Sequence, residues 1–195
     1  MCINPNAKSF HANLTKAILG IELDKEIEEF EKAEIVVRTV RLKENGSPKE
    51  AISFSSFKYK QLVEEDWEAS DFKAILDHKF LFIFFQFDKD ELVLRRIQFW
   101  NMPYSDVQEA KKVWAKTKDI VSGGNIVREV ENGIRYTNFP NKKFSSVSHV
   151  RPHAANALDT YPLPTEDKVT KAIAYTKHCF WLNDDYVRDE IYLKN

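Results

Sequence analysis

An apolar run at residues 79–87 constrains the fold of this chain more than any other feature. Six consecutive positions, 80–85, carry only Phe, Leu and Ile. A short run of this kind is typical of a strand that is covered on both faces, and it is far too short to span a membrane. The run therefore predicts the central strand of a sheet with helices on its flanks.

The surrounding segments predict a chain that mixes strands and helices. Further strands are predicted at 34–43, 50–54, 91–102, 126–137 (a hairpin), 147–151 and 179–182. Helices are predicted at 8–19, 59–66, 72–77, 105–121, 167–175 and 184–193. The turn cluster at 44–48 predicts that the first two strands form a hairpin, and Ser105 with Gln108 matches a capping box. We expect an α/β or α+β fold around one mixed sheet.

Composition limits the classes of partner. A chain of 195 residues is long enough for one domain, and its net charge of −1 produces no strong overall field. A nucleic-acid-binding surface would therefore have to gather its basic residues on one face. Cys2 and Cys179 form no disulfide framework, which indicates a reducing cytoplasm. No segment resembles a secretory signal or a membrane span, so no membrane partner is expected.

The stretch 147–157 is the strongest candidate for a binding site. Its apolar–polar alternation predicts a strand, and Pro152 must end that strand because proline cannot donate to a sheet ladder. Arg151, His153 and Asn156 then follow at the strand end and in the loop. A guanidinium fork and an amide are suited to reading the polar edges of a ligand, although a surface loop with an ion pair is the alternative.

This stretch also carries a family resemblance. The matching segments are 149–157 with R-P-K-A-A-N-A, 178–186 with G-F-Y-L-K-K-N-F, and 97–103 followed by Trp114 with L-L-W-S-P…W. Together with 29–32, 35–40 and 80–82, they resemble the MutH/Sau3AI-like family of GATC-directed endonucleases over residues 28–192. The resemblance implies a restriction-endonuclease-like mixed β-sheet flanked by helices. It is strongest to the second half of a GATC-cutting type II restriction enzyme.

In that family, an Asp and an E-x-K motif form the catalytic centre, whose carboxylates bind Mg²⁺. By resemblance, the Asp position falls near Glu28, the Glu position on Ile35 and the Lys position on Val37. Apolar side chains cannot bind the cation. We therefore expect no catalytic residues and no cofactor in this domain, and Mg²⁺ only in the catalytic domain of a parent enzyme.

Two other parts of the sequence contain residue types that bind metals. The segment 20–25, G-I-E-L-D-K, resembles a displaced motif with Glu22 and Asp24, but its Lys is one place late. His149 and His153 with His178 and Cys179 have the residue types of a zinc site, but Pro152 prevents a helix that would align the first two. We expect neither segment to bind a metal.

The resemblance also assigns DNA contacts. Arg151, Pro152 and His153 occupy the family's major-groove loop, and Trp181 occupies the position of an aromatic residue that contacts the adenine of GATC. His153 replaces a lysine by a titratable ring, and Trp181 replaces a tyrosine hydroxyl by an indole donor. The remaining candidate contacts are Asn156 and three lysines that could bind phosphates: Lys142, Lys143 and Lys79.

These observations predict a GATC-specific DNA-binding and regulatory domain of a type II restriction endonuclease. We interpret residues 1–195 as one such domain, with 1–27 as a helical lead-in and linker, and expect an N-terminal catalytic domain of the same chain as its partner. One alternative is an active Mg²⁺-dependent nuclease that uses Glu22, Asp24 or Glu28. The other is a protein-interaction domain that kept the fold and lost DNA binding.

Overall fold

The computed structural model describes residues 13–14, 16–17, 20, 32–89 and 91–194. They divide into two compact units. Unit 1 comprises Met1–Glu50, Asp77–Asn101 and Arg188–Asn195, and unit 2 comprises Ala51–Leu76 and Met102–Val187. Most of the predicted lead-in and linker 1–27 lies outside the described residues, including Glu22 and Asp24, and so do Glu28 and most of the predicted helix 8–19.

Unit 1 is built on a three-stranded mixed sheet in the order β1-β3-β4. Its strands are β1 (Ile35–Leu42), β3 (Lys79–Asp88) and β4 (Glu91–Trp100). Strand β3 is parallel to β1 and antiparallel to β4. Its side chains from Phe80 to Phe85 are almost completely buried, which confirms the predicted central strand. Fully burying one such side chain contributes roughly 1.5–3 kcal/mol.

The two faces of this sheet have separate cores. Leu81, Ile83 and Phe85 form one cluster, against which Leu14, Ile35, Val37 and Leu92 pack. On the other face, Phe82 packs between the rings of Phe80 and Phe84, and Trp100 and Tyr192 extend the row. Tyr192 belongs to a π-helical segment, Val187–Tyr192.

Unit 2 is built on an antiparallel sheet in the order β2-β10-β7. Its strands are β2 (Ile52–Ser56), β7 (Ser148–Pro152) and β10 (His178–Leu182). Unit 2 also contains two antiparallel strand pairs. One joins β5 (Val127–Glu131) to β6 (Ile134–Thr137), and the other joins β8 (Thr160–Pro162) to β9 (Ala174–Thr176). The α-helices are α1 (Tyr59–Glu64), α2 (Asp71–Asp77), α3 (Tyr104–Ser122) and the short α4 (Asp184–Tyr186). Phe180 stacks on Phe72 at 4.1 Å between ring centroids, which joins β10 to α2.

Several predicted elements are confirmed. The mixed strand and helix content agrees with the expected fold class, and the hairpin at 126–137 turns at Asn132 and Gly133, whose φ angles are 49° and 77°. Positive φ at both turn residues matches the right-handed twist of a hairpin, and Asn-Gly adopts it at low cost. No helix among the described residues is long and apolar enough to cross a membrane.

The predicted turn at 44–48 is confirmed by an antiparallel bridge between Leu42 and Pro48, but the predicted pairing of the first two strands is wrong. Strand β1 pairs with β3, whereas β2 pairs with β10 near the end of the chain. The strands therefore form two three-stranded sheets, one in each unit, rather than the single expected sheet. The apolar pattern of 50–54 identified a strand correctly but contained no information about its partner.

Two details of the helices also differ from the predictions. Residues 167–175 form a turn followed by β9, because Asp167 Oδ1 accepts hydrogen bonds from the backbone N–H and the hydroxyl of Thr170. Such side-chain bonds compete with a helix. The capping box is also wrong: α3 begins one residue earlier, with Pro103 at the N-cap, and Ser105 lies in its first turn.

Candidate nucleic-acid interface

Arg151 lies at the exposed end of strand β7, where Pro152 is the last strand residue. Its guanidinium carbon lies 4.4 Å from the ring centroid of Trp181. Cation–π stacking orients the planar group but uses none of its N–H donors. The side chain of Arg151 makes no ion pair or hydrogen bond with any residue that the structure describes. The fork is therefore held in place with its donors available to a ligand.

Trp181 is the platform for this arrangement. It lies in β10 directly opposite His149 of β7, so both side chains are on the same face of the sheet. The His149 ring is nearly parallel to the indole at 6.3 Å, and His153 meets it edge-on at 5.4 Å. The indole Nε1 is buried without a hydrogen-bond partner among the described residues. The donor that was expected to replace a tyrosine hydroxyl is thus not presented to solvent.

Buried hydrogen bonds fix the orientation of His149, which stacks on Trp181. His149 Nδ1 and Asn183 Oδ1 are 2.6 Å apart, and Asn183 Nδ2 donates to the carbonyl oxygen of Ser145 at 2.8 Å. Burial is the largest influence on the pKa of His149 and lowers it, and the charges of Lys142 and Arg151 lower it further. The hydrogen bond to Asn183 and the charge of Asp184 raise the pKa, but the net shift is downward. The neutral ring, with its Nδ1–H donating to Asn183, is therefore favoured.

The loop after Pro152 is closed by its own hydrogen bonds. His153 N–H donates to the carbonyl oxygen of Lys177, and Lys177 N–H donates to that of Asp159, at 2.9 and 3.1 Å. Asp159 also forms an ion pair with Lys177 at 2.5 Å and accepts the N–H of Ala155. Asn156 Oδ1 accepts the N–H of Leu158 at 2.9 Å. The amide predicted as a base reader thus has its acceptor engaged within the loop, while the side chain stays exposed.

The three predicted phosphate contacts have different surroundings. Lys142 forms an ion pair with Asp184, whereas the neighbouring Lys143 is exposed and makes no ion pair with any described residue. Lys79 is the exposed first residue of β3 and belongs to unit 1, whereas the other two lie in unit 2. Lys143 is therefore the better placed of the adjacent pair to contribute an uncompensated charge.

The positions expected to have lost the catalytic motif lie on β1. Ile35 and Val37 are half-buried and pack against Leu81, Ile83 and Phe85. Neither side chain offers an oxygen ligand, so these two positions do not fit Mg²⁺. Glu28, at the expected Asp position, lies outside the described residues.

The residues of the possible zinc set are not gathered. His149 and His153 contact Trp181, whereas His178 Nδ1 lies 2.7 Å from the carbonyl oxygen of Thr176 and 3.0 Å from the hydroxyl of Tyr59. Burial lowers the pKa of His178 to about 4 and raises the pKa of the Cys179 thiol to about 12. Within the described ranges, no three His, Cys, Asp or Glu side chains form a group that could hold a metal ion.

Sequence reasoning missed the residues that support the site. His149 was considered only as a possible zinc ligand, Asn183 was assigned no role, and the Asp159–Lys177 pair was not identified. Asp159 and Lys177 are 18 residues apart in sequence, so no local pattern indicates their contact. The opposition of His149 and Trp181 follows from the β7–β10 register and could be found only once that pairing was known.

Two comparisons with known proteins bear on this site. The family model described as the DNA mismatch repair enzyme MutH matches residues 19–113, which include β1 and β3. The type II restriction enzyme Sau3AI of Staphylococcus aureus is 30% identical over an alignment that covers 97% of this chain and 46% of the relative. The chain thus spans about half the length of this curated relative. The segments around Arg151 and Trp181 lie within the second alignment only.

Proposed function

Because this chain belongs to the MutH/Sau3AI-like family of restriction endonucleases, we propose that it is a domain that binds double-stranded DNA at GATC. The observation that supports this proposal best is the guanidinium of Arg151 stacked on Trp181 with its donors unused. An arginine fork matches the O6 and N7 acceptors of guanine in the major groove, and GATC offers one guanine on each strand. Because the stacking restricts the side chain before binding, less entropy is lost on DNA.

We further propose that the domain has no catalytic centre of its own. Ile35 and Val37 pack into an apolar cluster where the family motif would place a carboxylate and a lysine. Mg²⁺ would then serve a different, catalytic domain of the parent enzyme. In this proposal Arg151 and its neighbours bind and orient DNA and take no part in cleavage.

In this proposal the parent is a cytoplasmic type II restriction endonuclease of about twice this length, in line with the share of the relative that the chain covers. This domain would bind one copy of GATC and act as an allosteric effector of an N-terminal catalytic domain in the same chain. Pro152, His153 and Trp181 would line the base-reading surface, with Lys143 on phosphates. Asn156 would chiefly shape the loop, because its oxygen is bonded to Leu158 N–H.

A combined binding and cleavage assay tests the proposal. Fluorescence anisotropy on duplexes that differ only in the tetranucleotide should show tighter binding to GATC, and neither Mg²⁺ nor Mn²⁺ should produce nicks or breaks. Equal affinity for all duplexes would contradict the assignment and favour a protein-interaction domain.

An active nuclease is the second candidate. The match to the MutH family model begins at residue 19 and therefore includes Glu22, Asp24 and Glu28. Metal-dependent cleavage of GATC duplexes that disappears in Glu22→Gln would establish this alternative. Cleavage that persists in this variant and disappears in Glu28→Gln would establish it with a different acidic residue.

A further inference from the structure

The loop after Pro152 carries one large apolar side chain that the molecule leaves in solvent. Leu158 is 90% exposed, the highest value among the exposed large hydrophobic side chains of the described residues. The remaining apolar residues of the loop are alanines at positions 154, 155 and 157. The loop thus presents a single bulky apolar group on a backbone with small neighbours, which can approach a groove closely.

The position of Leu158 is held before any ligand binds. Its backbone N–H donates to Asn156 Oδ1, and the following residue, Asp159, is fixed by Ala155 N–H and by Lys177. Lys177 bonds both ends of the loop, through its carbonyl oxygen to His153 N–H and through its own N–H to the carbonyl oxygen of Asp159. An exposed leucine on a braced loop loses little backbone entropy when it makes a contact.

The loop begins directly after Arg151, so a guanidinium bound to guanine would bring Leu158 to the same groove. In the major groove, only thymine offers an apolar group, its C5-methyl. We propose that Leu158 is a specificity-determining residue that contacts the thymine methyl group of GATC. This inference rests on the proposed binding of GATC and adds a reader for its third base.

Replacing both thymines of the site by uracil removes only the two methyl groups and leaves every Watson–Crick edge unchanged. The wild-type chain should bind GATC about fourfold more tightly than GAUC for each methyl group buried. In Leu158→Ala the two affinities should become nearly equal. Leu158→Met should keep most of the preference, because it retains an apolar side chain of similar volume.

Ile173→Ala is the matched control, since Ile173 is also an exposed apolar residue, at 75%, on a different segment of unit 2. It should preserve the wild-type ratio. A wild-type chain that prefers GATC to a scrambled duplex but binds GAUC equally well would overturn the role of Leu158 and leave the proposed function intact. A loss of the methyl preference in Ile173→Ala as well would also overturn it. No preference for GATC over the scrambled duplex would instead contradict the proposed function.

Discussion

Strand β1 of unit 1 and strand β7 of unit 2 both carry residues at positions of family motifs, but the surroundings of those residues differ. On β1, Ile35 and Val37 pack against buried leucine, isoleucine and phenylalanine side chains. On β7, Arg151 is exposed and stacks on Trp181 without an ion pair to any described residue. Ile35 and Val37 stabilise the fold by packing. The guanidinium of Arg151 stays in contact with solvent, and its N–H donors are unused. The comparison separates a motif position used for packing from one suited to binding.

The most severe test of this comparison is to restore polar groups on β1. The double substitution Ile35→Glu with Val37→Lys should lower the free energy of unfolding by roughly 2–4 kcal/mol, because both charges enter an apolar cluster. Urea unfolding measures the loss. The control is Leu94→Glu with Ile97→Lys on β4, where the side chains are 40% and 42% exposed and the loss should be smaller. A double variant of wild-type stability that cleaves DNA with Mg²⁺ would show that β1 still has the geometry of a metal site.

A change of pH should affect unit 2 in particular, because His149 and His178, whose pKa values burial lowers, both lie there. A lowered pKa favours the neutral form of each ring in the folded chain, so this contribution to stability is fully present above the ordinary histidine value. For both histidines the contribution is lost as the pH falls below the ordinary value of about 6.5. For His178 the loss continues down to about pH 4 and amounts to at most about 3 kcal/mol.

Urea unfolding at about pH 7.5 and about pH 4.5 measures this loss together with that from carboxylates, which titrate near the lower pH, so a variant is needed to isolate the histidine contribution. The variant His178→Asn can still donate to the carbonyl oxygen of Thr176 but does not titrate, so its stability should change less with pH. An unchanged pH dependence in this variant would mean that His178 is not the responsible group.

The next effect concerns the unused donors of Arg151. Arg151→Ala should lower the affinity for GATC by roughly tenfold to a hundredfold while nonspecific binding falls much less. Arg151→Lys should restore little, since an ammonium group cannot reproduce the planar fork. Anisotropy at two salt concentrations measures both affinities, and thermal melts establish that the variants are folded.

Arg135→Ala is a matched control for Arg151, because Arg135 also lies over an aromatic ring, that of Tyr175 at 5.6 Å. It should leave the preference for GATC unchanged. Retention of the preference in Arg151→Ala, or its loss in Arg135→Ala, would show that stacking on an aromatic ring does not identify the base reader.

The smallest effect distinguishes the adjacent lysines. Lys143→Ala should reduce the slope of log affinity against log salt concentration by about one, because an uncompensated charge on a phosphate releases one counterion. The double variant Lys142→Ala with Asp184→Asn removes an ion pair of zero net charge and should leave the slope nearly unchanged. An equal reduction of the salt slope in both variants would mean that the ion pair between Lys142 and Asp184 breaks when DNA binds.

Local sequence patterns predicted single elements well and their partners poorly. The apolar run of β3 and the Asn-Gly turn of the β5–β6 hairpin required nothing beyond neighbouring residues, and both were predicted. The partner of β2 was not, because β10 lies more than a hundred residues later in the chain. A strand's alternation specifies which face is buried and leaves open which strand completes the sheet.

The same division holds for the candidate site. Residue types alone excluded a metal ligand at Ile35 and Val37, because their side chains have no oxygen atom. They also predicted that Arg151 lies at a strand end, because the proline after it has no backbone N–H to donate. The stacking of Arg151 on Trp181, the buried chain from His149 to Ser145, and the Asp159–Lys177 pair that presents Leu158 each join residues distant in sequence. The stacking on Trp181 arises only when β7 and β10 pair in one register, because that pairing brings the side chains to the same face. The Asp159–Lys177 pair lies next to the Thr160–Thr176 pairing of β8 with β9.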